Sequence, residues 1–133
     1  MKLVFKKGDK KVFKTIVQSK DQAIFHGVLL HPVCSTFALA REIEWTSRLF
    51  FLEMKEEEEE GLGTLLHIQH MSPSFVGEEL HITATIDSII GNELICDIEV
   101  KVGNRIIATG KTGQRMLKKD KLNVIFTPPN EQR

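Results

Sequence analysis

The chain has 133 residues, 41% of them hydrophobic, with Lys plus Arg and Asp plus Glu balanced at 18 each. That length favours one domain with a core of its own. The zero formal charge argues against a nucleic-acid or membrane-surface protein and does little to discourage self-association.

No apolar run approaches the roughly 18 residues that a membrane span needs. The start, Met1 to Lys7, has too short an apolar part for a secretion signal. Cys34 and Cys96 are the only cysteines, with no CxxC and no metal-ligand spacing. Two scattered thiols fit a reducing cytoplasm, and no metal or cofactor is implied.

In chain order, Gly8-Asp9 is a turn signal and Lys10 to Val17 alternates as a strand does. Ala23 to Leu30 is short and apolar, broken by Gly27, and reads as a strand or an irregular pocket lining. His31-Pro32 is expected to end it, because a residue before proline avoids helical angles. Ser35 or Thr36 then serves as an N-cap, its hydroxyl accepting a free backbone N–H. The pattern predicts a helix to about Lys55. Its apolar residues, from Phe37 and Leu39 to Phe51 and Met54, cover most of its circumference. Such a helix is buried on nearly all sides, by a sheet curled around it or by dimerisation over it.

The acidic run Glu56 to Glu60 reads as a solvated loop, closed by Gly61-Leu62-Gly63. Thr64 to Met71 is the next strand, with Leu66, Ile68 and His70 on one face. Leu80 to Ile90, Glu93 to Val102 and Arg105 to Leu117 are three further strands. The dipeptides Gly91-Asn92 and Gly103-Asn104 join them as hairpins. The tail around Thr127-Pro128-Pro129-Asn130 reads as frayed. The reading is one α+β domain over residues 1–133, with a core from about 8 to 117 and a tail over 118–133.

Three side chains carry chemistry in this frame. Glu44 sits between Ile43 and Trp45 inside the helix. It is either exposed on a thin polar strip, ion-paired with Arg41 or Arg48, or held in a pocket. A partly buried carboxylate beside an indole is disfavoured in its charged form, which suits acid–base work. Thr36 is a cap or, by the same physics, a donor at the positive end of the helix for a substrate carbonyl. His70 is a satisfied core histidine or a base in a cleft. His67 and His70 point to opposite faces and make no metal pair. Cys34 has no histidine fixed beside it to make it a nucleophile.

The pieces Thr36 through Glu44-Trp45, Gly63-Thr64 with His70 seven residues after Gly63, Pro73, Leu80 to Ile86 and Gly113-Gln114-Arg115 resemble the hotdog fold, in which a curved antiparallel sheet wraps one long helix. The closer resemblance is to acyl-CoA thioesterases similar to fluoroacetyl-CoA thioesterase. It spans roughly Gly8 to Leu117. It implies Thr36, Glu44 and His70 as the catalytic trio. Gly63 and Arg115 follow as substrate-binding residues, with Phe37 beside them. It further implies an acyl-CoA partner whose coenzyme A belongs to the substrate, and a homodimer or tetramer with sites at the interface. Gln114 stands where an acidic residue is expected. The segment before Thr36 is shorter and offers only Phe25, Val28, Leu29 and Leu30 in place of an aromatic lid. The implication is therefore the class, hydrolysis of a small or medium acyl-CoA, and not one substrate. A non-catalytic acyl-CoA binder, a hydratase or dehydratase, and a purely structural dimer are the alternatives. At 1.5 Å per residue, Thr36 and Glu44 lie about 12 Å apart along one helix. Either Thr36 precedes the helix and folds back, or two subunits share each site.

Overall fold

The structure is a computed structural model and describes residues 1–131. Its main sheet has five antiparallel strands in the order β1-β5-β6-β7-β4. These are β1 (Lys10–Ile16), β4 (Glu59–His70), β5 (Glu79–Ile90), β6 (Glu93–Val102) and β7 (Arg105–Lys118), with α1 (Thr36–Met54) against one face. β2 (Gln22–Phe25) and β3 (Val28–Cys34) form a separate two-stranded ribbon just before the helix.

Alternation along β5 and β6 builds the core. Leu80, Ile82, Ala84 and Ile86 on β5 are buried, as are Leu94, Cys96, Ile98 and Val100 on β6. All face Leu39, Ile43, Phe50, Phe51 and Met54 of α1. The glycines of both expected hairpins have positive φ, +61° at Gly91 and +56° at Gly103. Those values need no Cβ penalty in glycine and set the registers Ile90↔Glu93 and Val102↔Arg105.

Within this chain the five-stranded sheet covers one face of α1, and on the other Phe37, Trp45 and Leu52 are exposed beside Arg41, Glu44 and Glu53. The sheet alone does not give the burial on nearly all sides. Other expectations need correction. The segment from Ala23 is two strands, turned at His26-Gly27, both with positive φ. β3 runs through Pro32 to Cys34, which a two-stranded ribbon tolerates because neither strand is central.

The acidic run is not a solvated loop at its end, since β4 begins at Glu59. The Glu59 carboxylate is buried against the Met1 amino group at 2.8 Å and accepts the Glu56 N–H at 3.0 Å. Glu60 is paired with Arg48 and Lys55. Nor is the tail wholly frayed. α2 (Lys119–Ile125) follows β7 directly, anchored by buried Leu122 and by the Lys119 N–H donating to Glu58 O. Residues 132 and 133, the end of the expected tail, lie outside the described residues.

Candidate active site

Ser35 is the N-cap of α1, its Oγ accepting the Ala38 N–H at 3.1 Å. Thr36 is therefore the first helical residue, and it does not fold back from a preceding loop. The first N–H groups of a helix have no partner within it. With Ala38 capped, those of Thr36 and Phe37 remain at the positive end of the helix.

Thr36 Oγ1 and His70 Nδ1 are 2.9 Å apart. With the proton on Nδ1, the ring donates to the threonine and frees the hydroxyl to donate onward. His70 Nε2 is shut off from solvent and has no partner among the described residues. A buried ring nitrogen without a partner is rare.

A bulge gives His70 its facing. Gly63 pairs with Gln114 and Leu65 with Gly113, which leaves Thr64 as the extra residue. Gly63 and His70 are an odd number of residues apart, so a regular strand would set them on opposite faces. The bulge shifts the count by one, and both face α1.

Thr36 and His70 open on a cavity of about 390 Å³, walled by Phe25, Leu30, Phe37 and Cys34. Phe25 and Phe37 meet edge to face with centroids 5.7 Å apart, so the β2–β3 ribbon is one wall. Burial pushes the Cys34 thiol above its ordinary pKa. It thus stays a thiol, the inert form.

Glu44 lines a different cavity of about 240 Å³, with Gly63, Trp45, Arg41, Arg48 and Gln114. A methyl group on Gly63 would lie 3.7 Å from Glu44 Oε1. Arg48 is committed to Glu60 and donates to Gly61 O at 3.3 Å. Arg41 is held at Asp21 and Glu42, which raise its pKa further, Glu42 foremost.

Within one chain, then, Thr36 joins His70, and Glu44 joins Gly63, in two separate cavities. Arg115 belongs to neither. It points away from α1, ion-paired to Glu93 at 3.1 Å. Gln114, its neighbour, faces α1 and enters the Glu44 cavity. Gln114 is itself the cross-strand partner of Gly63, so the β4–β7 register is the signal that locates it. Among the described residues no group of three or more His, Cys, Asp or Glu could hold a metal. Among the same residues no helix is long and apolar enough to cross a membrane.

A family model described as FlK, fluoroacetyl-CoA-specific thioesterase, matches residues 17–120. Among solved structures, a Thermus thermophilus thioesterase superfamily member is 27% identical, with a TM-score of 0.87 over 91% of this chain and 90% of that one. The fluoroacetyl-CoA thioesterase FlK is 20% identical, with a TM-score of 0.85 over 93% of this chain and 98% of its own. A hot-dog-like protein from Thermanaerovibrio acidaminovorans is 18% identical, with a TM-score of 0.82 over 90% and 88%. No curated protein sequence matches.

Proposed function

Because the chain belongs to the fluoroacetyl-CoA-specific thioesterase family, acyl-CoA thioesterases of the hotdog fold, we propose that it hydrolyses a small or medium acyl-CoA at a site shared by two protomers. The carrying observation is the Thr36–His70 contact of 2.9 Å at the helix N-terminus. It puts a hydroxyl, an imidazole and uncommitted N–H groups together where a thioester carbonyl gains negative charge.

Glu44 is the remaining member. It lies two turns along the same helix, on the order of 12 Å away. A second copy related by two-fold symmetry would bring its own Glu44 and Gly63 to the first copy's Thr36 and His70, making two equivalent sites. The exposed Phe37, Trp45, Leu65 and Leu66 and the free edge of β4 support that pairing.

In this reading Thr36 and the helix N-terminus polarise the carbonyl, Glu44 is the base or nucleophile, and His70 moves a proton or orients water. Gly63 leaves room beside Glu44. The apolar wall of Phe25, Leu30 and Phe37 receives the acyl group. Arg115, on the outer face, has its proposed role as a contact for a coenzyme A phosphate or as a structural ion pair. Two buried free thiols, Cys34 and Cys96, are in keeping with a cytoplasmic site of action.

A solved FlK complex holds fluoroacetate and coenzyme A, which supports coenzyme A as part of the substrate here. The test is thiol release from a panel of straight-chain acyl-CoAs by wild type, Glu44→Ala and His70→Ala. Each variant is expected to lose on the order of 100-fold or more in kcat. Unchanged rates in both would sink the assignment, and acyl-CoA binding without turnover by wild type would make the protein a carrier.

A further inference from the structure

Gln114 is only 7% exposed, yet no hydrogen bond to its carboxamide is present among the described residues. The buried polar groups around it are satisfied. Thr112 and Ser47 share a hydrogen bond of 2.6 Å, and Ser47 also donates to Ile43 O at 3.3 Å. Its carboxamide is not among the sealed polar atoms that lack a partner, which are His70 Nε2 and Ser74 Oγ, so it stays open to solvent and can bond water.

Gln114 lines the same cavity as Glu44 and Gly63. Gly63 is its cross-strand partner, and paired residues point to one face. At Gly63 an added methyl would meet only Glu44 Oε1 within 4 Å, at 3.7 Å. The glycine therefore keeps open a small space bounded by the carboxylate on α1 and the carboxamide on β7.

We propose that Gln114 is a positioning residue that holds the hydrolytic water in this space, so that Glu44 acts through that water and not by direct attack. The inference rests on the thioesterase reading of the same site. One O–H of the water donates to the Gln114 carbonyl oxygen and the other to the Glu44 carboxylate. The water oxygen bonds to the acyl carbon as Glu44 takes its proton. The carbon–sulfur bond then breaks, and the coenzyme A thiolate takes up that proton and leaves as the thiol. One thioester and one water become one acid and one thiol.

The experiment is steady-state hydrolysis of acetyl-, butyryl- and hexanoyl-CoA, with melting temperatures measured alongside. Gln114→Met keeps the volume and removes both polar ends. Its kcat is expected to fall on the order of 10-fold or more while KM stays within about twofold. Gly63→Ala fills the space without a close contact and is expected to show the same kcat-selective loss. Gln114→Glu puts a second carboxylate beside Glu44. It is expected to move the acidic limb of the kcat/KM profile up by about one pH unit, which a merely structural residue would not do.

Wild-type kcat in Gln114→Met, where Glu44→Ala is inactive, overturns the inference and leaves the thioesterase reading standing. Should Gln114→Met fail to fold, wild-type kcat in Gly63→Ala overturns it in the same way. A wild type that hydrolyses none of the three substrates overturns both.

Discussion

Gly61 and Gly63 lie two residues apart on β4 and face the same helix, but they answer to different demands. A Cβ on Gly61 would sit 2.6 Å from Cδ2 of Phe51, a residue only 1% exposed whose ring has no free space to move into. Gly61 is a packing glycine, and Gly61→Ala should lower stability by about 1–3 kcal/mol as an overpacked site does. Urea unfolding measures it, and a midpoint equal to that of wild type would remove the packing argument. Gly63 has no such contact, so Gly63→Ala should unfold at the wild-type midpoint within about 0.5 kcal/mol. The same substitution thus separates a glycine kept for packing from one kept for space beside Glu44.

At the scale of elements, α1 is fixed at both ends. At its start the Ser35 hydroxyl caps Ala38, and Ser35→Ala should cost about 1 kcal/mol of stability. Thermal melting reads that loss directly. At its end Lys55 and Arg48 grip Glu60 at the start of β4. The Lys55 hydrogen bond, then the Gly61 N–H and the Arg48 charge, outweigh burial and hold the Glu60 pKa down to about 2.

A carboxyl depressed in the folded state contributes stability above its unfolded pKa and loses it as pH falls through the folded one. Wild type should therefore exceed Glu60→Gln in stability at pH 6. The difference should shrink from about pH 4.5 downward and vanish below about pH 2. Because the pair is partly solvated, the gap at pH 6 is expected to be on the order of 1 kcal/mol. Chemical denaturation of both proteins across that range is the measurement, and a gap that widens as pH falls would reverse the assignment.

At the scale of the whole molecule, the unfinished surfaces lie together. β4 is an edge strand of 12 residues, and Leu65 and Leu66 on it are exposed. Phe37 and Trp45 project from the helix face that the sheet leaves uncovered. A long apolar edge is a template for pairing with another chain. In size-exclusion chromatography with light scattering, wild type is expected to run as a dimer or larger. Leu66→Lys should shift it to monomer and remove hydrolysis, with its far-ultraviolet circular dichroism unchanged. A fully active monomer would refute the shared site.

Local pattern alone determined the architecture. Period-two alternation from Leu80 to Leu117, two Gly-Asn turns and one long apolar helix behind a serine cap leave few arrangements other than a sheet on a helix. These are short-range signals, and near neighbours satisfy them. Thr36, Glu44 and His70 each stand at a place in a local pattern that marks a candidate, but each signal is weak alone, and it is the family resemblance that joins them as a trio.

What escaped was decided at long range. The acidic run ends in a strand because Met1, Arg48 and Lys55 reach Glu59 and Glu60 from elsewhere in the chain or the fold. The tail forms α2 because Leu122 finds a buried place and Glu58 O receives the Lys119 N–H. The bulge at Thr64 turns Gly63 and His70 to one face, and the β4–β7 register sets Gln114 beside Glu44. Only the tertiary structure decided that Thr36 joins His70 while Glu44 opens on its own cavity. A straight helix holds Thr36 and Glu44 apart, whatever their side chains.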